Sequence, residues 1–404
     1  MSQQPKTPKK AALPILPGEW LGILGGGQLG RMFAHDAQAM GYRVCILDPD
    51  DSAPAGMAAD RQFNADYDDE VALQQIATLC RAVSTEFENV PARSLDMLAS
   101  SGCHVAPSSA AVSVAQNRVA EKKFLASCMD ETGIAPAPHW VIEHADDIAN
   151  IPARLLPGVL KTARMGYDGK GQVRVDSKED VSAAWEGLKK VPCVLEQRLA
   201  LAYEISALVA RGCDGGMASY PLARNIHRNG ILHLTEAPAQ GVEEELARKI
   251  EEATRIVAAR LDYVGVLCVE YFVLEDGSVV ANELAPRPHN SSHYTMDACA
   301  TSQFGQQLRA MAGLPLGSTA MRGHALMLNL MGDLWFPDGA QTFPEGRREP
   351  PWEALLTIPG ACLHLYGKSE PRPGRKMGHV NFVAATPEAV RAACGEALAL
   401  FGLS

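Results

Sequence analysis

One stretch near the start of the chain limits its fold more than any other. Residues 20–24 (WLGIL) are an apolar run long enough for one strand, and a glycine turn follows at Gly25, Gly26, Gly27 and Gly30. Leu29, Met32, Phe33 and Ala37 then recur at helical spacing, and 43–47 is a second apolar run, closed by Asp48. Strand, helix, strand in that order is a βαβ unit and implies a parallel sheet. Further strands of that layer are expected at 82–85 and 104–106. A long helix is expected over 109–133, with Ser109 as N-cap and Gly133 as C-cap.

Beyond it the pattern changes. Strands are expected at 159–162, 172–175, 194–197 and 205–210 with one helix over 178–190, an antiparallel α+β arrangement. An amphipathic helix over 243–261 leads to strands at 265–274 and 279–284. From about Gly323 the chain reads as short strands with Pro/Gly turns and a closing helix over 386–401. At 404 residues the chain needs two or three cores. The expected division is a disordered tail (1–18), an N-terminal Rossmann-like domain with an open parallel sheet (19–108), a central α+β domain (109–322) and a small C-terminal β-rich domain (323–404).

Composition narrows the function. A formal net charge of -10 argues against nucleic acid as a partner, which needs a broad basic surface. A small anionic substrate needs only a few local basic groups. The 10 cysteines stand singly with no C-x-x-C pair, which speaks against a zinc ribbon and for reduced, buried thiols. With no apolar run long enough for a bilayer and no apolar signal core at the start, a soluble cytoplasmic protein without membrane partners is expected.

Two segments carry candidate chemistry. In 160–175, LKTARMGYDGKGQVRV, three glycines and Lys170 lie between two strands, with Lys161 on the first. Backbone N–H groups of such a hairpin can approach phosphate oxygens while the lysines offset their charge. The spacing is not that of a Walker loop, and a plain surface turn is the competing reading. The second segment is a hairpin. A two-residue turn at Asp276-Gly277 sets Glu275 against Ser278 and, counting outward, Glu270 directly against Glu283. Opposed residues share a face with Cβ atoms about 5 Å apart. Two carboxylates on a mostly buried face repel unless a cation joins them, and Mg²⁺ is held by a few carboxylates plus substrate phosphates. A slipped register, with one glutamate in solvent, is the alternative.

These segments, with Glu196-Gln197, Glu204 and 282–291 (NELAPRPHNS), resemble the ATP-grasp superfamily. Within it, the opening 25–32 (GGGQLGRM), the segment 85–90 (TEFENV) and the late 372–379 (RPGRKMGH) resemble the 5-(carboxyamino)imidazole ribonucleotide synthases. The resemblance covers Trp20 to the end and makes 109–322 an ATP-grasp domain. It implies a ligase that uses ATP, Mg²⁺ and bicarbonate to carboxylate 5-aminoimidazole ribonucleotide through carboxyphosphate in purine synthesis, in a dimeric family.

By resemblance, Arg118 and Lys161 contact ATP phosphates under a lid of Gly166, Tyr167, Asp168, Gly169, Lys170, Gly171 and Gln172. Glu196, Gln197, Arg198 and Leu199 line the adenine pocket, Glu204 holds the ribose and His227 lies near the nucleotide. Glu270 and Glu283 ligate Mg²⁺ beside Asn282, while Arg287, His289 and Asn290 face the reaction centre with Lys161. Arg375 and Lys376 take the ribonucleotide's phosphate, completed by backbone N–H groups at Gly27, Gln28, Leu29 and Gly30, with Glu86 and Glu88 at the substrate. Met165 departs from the family, standing where a second glycine is common. Three rivals remain open. Gly25, Gly27, Gly30 and Asp48 also fit a dinucleotide fingerprint and so an NAD-dependent dehydrogenase. Another ATP-grasp ligase, such as a formate-dependent glycinamide ribonucleotide transformylase, and a non-catalytic nucleotide-binding module are the other two.

Overall fold

The computed structural model describes residues 13–166, 171–336 and 346–403. The first layer is the expected parallel sheet. Strands β1 (Trp20–Leu24), β2 (Arg43–Leu47), β3 (Arg61–Phe63), β4 (Ala82–Thr85) and β5 (His104–Val105) lie in the order β3-β2-β1-β4-β5. Helices α1 (Gln28–Ala39), α2 (Glu70–Leu79) and α3 (Ala92–Ser100) connect them. The strand order reverses between β1 and β4, so the turns after those two strands open onto one crevice, where α/β sheets bind ligands.

The long helix expected next is three helices: α4 (Ser109–Ala115), α5 (Arg118–Ser127) and α6 (Met129–Thr132). Asn117 breaks it by leaving the helical region (φ -131) and accepting Val119 N–H on its side chain at 2.9 Å. The first N-cap is Ser108 rather than Ser109, and Gly133 ends the run in the left-handed region. A four-stranded sheet follows in the order β6-β9-β7-β8, from β6 (His139–Ile142), β7 (Gly158–Thr162), β8 (Gln172–Val175) and β9 (Cys193–Gln197), backed by α7 (Ala145–Ala149) and α8 (Lys178–Gly187).

The large sheet is built from β10 (Leu201–Arg211), β11 (Met217–Ser219), β12 (Ala223–Arg228), β13 (Ile231–Ala237), β14 (Gly265–Leu274) and β15 (Val279–Ala285), with α9 (Glu244–Arg260) packed on it. Short α10 (Thr295–Ala298) and buried α11 (Gln303–Ala312) precede β16 (His324–Met331). Then come α12 (Trp352–Thr357), β17 (Ala361–Leu365), β18 (Lys376–Ala384) and α13 (Pro387–Leu400). The C-terminal strands are β-rich as expected, but they extend the large sheet: β13 pairs β16, and the order continues β16-β18-β17. The apolar run of β16 explains this, because six of its eight residues are buried and need cover on both faces.

Leu13 to Gly18 were expected to belong to a disordered tail. Instead Ile15 N donates to Ala312 O at 2.8 Å, Tyr42 Oη donates to Ile15 O at 2.7 Å, and the Ile15 side chain joins the core between α1 and α11. Burying one isoleucine and satisfying its backbone holds the segment down. Among the described residues no helix is long and apolar enough to cross a membrane.

Candidate active site

The β14–β15 hairpin carries the central pair, by a route the sequence count did not anticipate. Leu274 N donates to Ser278 O at 2.8 Å and Gly277 N to Leu274 O at 3.0 Å, so the turn holds 275–277 rather than two residues. Gly277 supplies the positive φ of +81 that this loop needs. Val273 therefore pairs Val279 and Tyr271 pairs Ala281, a register one residue off the count, which alone would set Glu270 against Asn282. A bulge between Tyr271 and Glu270 absorbs Asn282 and restores the pairing of Glu270 with Glu283. The bulge also turns the Asn282 carbonyl to a buried lysine, Lys122, whose Nζ donates to it at 2.7 Å.

Helix α5 aims charge at this hairpin. Arg118 Nη1 donates to Glu283 Oε2 at 3.1 Å, and Glu121, three residues on, accepts Leu284 N–H at 2.5 Å. Lys122 pairs with Glu196 Oε1 at 3.0 Å while Lys161, from β7, donates to Glu196 Oε2 at 2.7 Å. Burial pushes the Glu196 carboxyl up, but Lys122 and Lys161 outweigh it and hold the group far below the carboxylate range. Burial likewise raises Glu283, and Arg118 and Lys161 overcome that, leaving it below its ordinary value. Glu270 is helped only by His227 and Lys376, which do not overcome its burial. Burial, and then the Glu283 charge, push it up to about 8. One carboxylate is therefore fully compensated by the protein and its partner only in part.

That asymmetry fits a divalent cation. Among the described residues no group of three or more His, Cys, Asp or Glu is placed to hold a metal alone. Two facing carboxylates need other oxygens to complete a shell, and nucleotide phosphates are the usual supply for Mg²⁺. Glu204 on β10 and His227 on β12 meet at 3.1 Å nearby. Burial lowers the His227 imidazole, but the Glu204 hydrogen bond dominates with its charge and raises it overall. Gln197, Arg198 and Leu199 lie where β9 ends and the chain crosses to β10, whereas the Glu196 side chain is committed to its two lysines. Gly166 O accepts from Arg118 Nη2 at 3.5 Å and Gly171 O accepts Thr162 N–H at 2.9 Å. Tyr167, Asp168, Gly169 and Lys170 lie outside the described residues.

The segment after β15 faces the crevice. Arg287 Nε donates to Glu88 Oε2 at 2.7 Å, tying the central sheet to the turn after β4. Burial raises Glu88, and Arg287 more than reverses it. His289 Nδ1 lies 2.7 Å from Ser291 Oγ and its Nε2 lies 3.7 Å from Glu270 Oε1. Burial, then Arg287 and Lys376, keep this imidazole neutral. Asn290 is spent elsewhere: its amide and that of Asn329 on β16 exchange hydrogen bonds at 3.0 and 2.7 Å. Arg375 and Lys376 do not act as a pair. They are successive residues entering extended β18, so their side chains diverge. Lys376 acts on Glu270 and His289, whereas Arg375 acts on Asp50 and donates from Nη1 to Glu370 O at 2.7 Å.

The glycine turn after β1 is closed rather than open. Leu29 N–H, at the start of α1, is accepted by Glu86 Oε1 at 3.0 Å, and a Cβ on Gly27 would overlap that carboxylate. Of the phosphate-ready N–H groups expected at Gly27, Gln28, Leu29 and Gly30, that of Leu29 thus already faces a carboxylate, supplied by the turn after β4. Asp48 Oδ2 accepts Gly26 N–H and Tyr67 Oη–H, both at 2.6 Å. An acid held this way is not presented to a ribose, which removes the structural basis of the dehydrogenase reading.

Three family models match the chain: a ribonucleotide synthetase preATP-grasp domain over residues 19–116, an ATP-grasp domain over 127–304, and a phosphoribosylaminoimidazole carboxylase C-terminal domain over 325–393. The N5-carboxyaminoimidazole ribonucleotide synthase of Brucella melitensis is 43% identical over 369 residues, 91% of this chain and 96% of that protein. That of Bacillus subtilis is 39% identical over 370 residues, 91% and 92% of the two. The structure of the Aspergillus clavatus synthase with ADP and 5-aminoimidazole ribonucleotide superposes with a TM-score of 0.83 at 32% identity, covering 95% of this chain and 98% of that one. The chain belongs to the N5-carboxyaminoimidazole ribonucleotide synthase family of ATP-grasp ligases.

Proposed function

We propose that this chain carboxylates 5-aminoimidazole ribonucleotide to N5-carboxyaminoimidazole ribonucleotide, consuming ATP and bicarbonate and releasing ADP and phosphate. The observation that carries the reading is the opposed Glu270–Glu283 pair, with Arg118 and Lys161 overcoming burial at one carboxylate while His227 and Lys376 do not overcome it at the other. Glu270 and Glu283 would hold Mg²⁺, which supplies charge compensation to the nucleotide's phosphates. Arg118 and Lys161 support the same phosphates, Glu204 the ribose, and 197–199 the adenine edge. Bicarbonate attacks the γ-phosphorus, forming carboxyphosphate, and ADP leaves. The exocyclic amine of the ribonucleotide then attacks the carboxyl carbon, and phosphate departs.

Lys376, Arg287 and neutral His289 surround the position between Glu270 and the crevice, where they can bind bicarbonate and orient the mixed anhydride. Arg375 takes the ribonucleotide's phosphate on the crevice side. Glu86 and Glu88 border the same crevice, and Glu86 keeps a phosphate away from the start of α1. Gly166, Gly171 and Gln172 border the phosphate side, where exclusion of water protects carboxyphosphate from hydrolysis. Residues 19–108 thus form the ribonucleotide side, 109–322 the nucleotide side, and 323–404 supply Arg375 and Lys376 at the start of β18. A homodimer and a cytoplasmic location are further parts of the reading. The test is ADP release with a panel of amines and ribonucleotides, each with and without bicarbonate. Release that requires both bicarbonate and the aminoimidazole ribonucleotide is expected; release driven by formate and a glycinamide, or none with any amine, overturns the reading.

A further inference from the structure

Behind His289 the chain builds a buried polar assembly that the reaction, as read above, does not use. Gln303, fully buried in the first turn of α11, grips the 289–293 segment with its whole amide. Its Oε1 accepts His289 N–H at 2.8 Å, and its Nε2 donates to His289 O at 2.9 Å and lies 2.9 Å from His293 Nδ1. Because the two backbone groups of His289 fix which end of the amide is oxygen, the atom facing His293 is a nitrogen with protons to give. His293 Nδ1 must therefore be bare, and its proton sits on Nε2.

Three rings then follow in sequence. The His293 and His379 centroids are 4.7 Å apart, and His379 stacks on His364 at 4.6 Å. His364 Nε2 meets Asp297 Oδ2 at 2.8 Å, and Tyr366 Oη meets His379 Nδ1 at 3.0 Å. Asn381 clamps the far side, donating to His293 O at 2.9 Å and to Asp297 Oδ2 at 2.6 Å. The Nε2 atoms of His293 and His379 are buried without a hydrogen-bond partner among the described residues. Packing for stability alone would put apolar side chains here, since a buried polar group left unpaired is costly. What the assembly does specify is the pose of the backbone that carries His289 toward Glu270.

We propose that Gln303 is a positioning residue for the ligase reaction: it holds His289 by both backbone groups and locks His293 as the Nε2–H tautomer. The assignment to this reaction rests on the function proposed above. The hold on His293 rests on geometry alone.

The experiment reads both in the full chain. In the ¹⁵N-histidine imidazole spectrum, with the His293 signals identified by their loss in His293→Asn, wild-type protein shows Nε2–H. Gln303→Glu, which keeps the shape but cannot donate, converts His293 to the Nδ1–H or charged form. Gln303→Met, which does neither, leaves a mixture of tautomers. In both variants kcat for ribonucleotide-dependent ADP release falls at least about tenfold while KM for ATP stays within about twofold. If Gln303→Glu does not fold, Gln303→Met carries both readouts. The proposal is overturned if wild-type His293 carries its proton on Nδ1, or if its tautomer survives both substitutions. It is also overturned if kcat is unchanged, or if kcat, KM for ATP and thermal midpoint shift together as general loosening would make them. A wild-type protein that releases no ADP with the ribonucleotide sinks the functional reading instead, and the spectrum still decides whether Gln303 sets the tautomer.

Discussion

The glycine turn after β1 and the hairpin β14–β15 both read in the sequence as places for phosphate, and the structure treats them in opposite ways. At the turn the protein provides its own anion. Glu86 sits on Leu29 N–H in the first turn of α1 and Asp48 on Gly26 N–H. At the hairpin the protein provides an excess of negative charge that its own cations only partly offset: Arg118 answers Glu283, while His227 and Lys376 leave Glu270 raised. A motif's spacing says where backbone and charge lie; whether a site remains open depends on what distant residues bring to it. Glu86 reaches the turn from 57 positions away, across the strand reversal.

The contrast can be broken by substitutions on each side. The largest effect is expected at Lys122→Met, which removes one of the two lysines paired with the buried Glu196 and the donor to Asn282 O. Removing one member of such a pair costs about 3–5 kcal/mol, so urea unfolding should show a loss of that size, and a change below about 1 kcal/mol would mean the network is not stabilising. Next, Glu283→Gln should reduce ADP release by about a hundredfold or more with the fold intact; near-normal turnover would remove the hairpin from the chemistry. Arg375→Ala should raise KM for the ribonucleotide by about ten- to a hundredfold and leave KM for ATP alone, since one charge-assisted phosphate contact contributes roughly 1.5–3 kcal/mol. Equal changes in both constants would show that Arg375 does not serve the ribonucleotide side.

The smallest effect compares Glu86 at the turn with Glu196, which anchors Lys122 and Lys161 beside the hairpin, because these two carboxylates are shifted in opposite directions. Glu196 is held low, so its stabilisation is present above the unfolded value of about 4.3 and is lost as pH falls through the lower folded value. Glu86 is raised, chiefly by burial, so its favourable contribution is full below about 4.3 and is lost as pH rises through the folded value. Glu86→Gln should therefore gain stability relative to wild type between pH 5 and 7, and Glu196→Gln should show the reverse trend on acidification. Parallel pH slopes in chemical denaturation of the two variants would contradict the distinction.

Much of this was legible in the residues. The βαβ unit at 20–48, the antiparallel middle and the facing Glu270 and Glu283 follow from period, glycine placement and a turn signal. The hairpin also shows the limit: the turn is one residue longer than Asp276-Gly277 suggests, and a bulge at Asn282 cancels the error. Bulges depend on what packs against a strand, here Lys122 and the bridge from Pro136 to Ala281, and no local pattern announces them. Lys122 and Glu121 were missed although they stand three and four residues after Arg118, the spacing that puts all three on one helical face. Gln303 was out of reach, since an amide's partners are set entirely by tertiary contact. Asn290 looked reactive beside His289 and proves committed to Asn329. Adjacent Arg375 and Lys376 looked like one clamp because a turn was expected to present both, whereas an extended strand separates them.

The central claim is that the charge-dense hairpin, not the glycine turn, hosts the transfer of phosphate from ATP to bicarbonate. The measurement that tests it most directly supplies ¹⁸O-labelled bicarbonate with ATP and 5-aminoimidazole ribonucleotide and reads the label in the phosphate released. Carboxyphosphate formation moves one bicarbonate oxygen to phosphorus, so each phosphate should carry one ¹⁸O, and Glu283→Gln should abolish the labelled product. Unlabelled phosphate released at the wild-type rate would contradict the account, because phosphate would then be leaving to water.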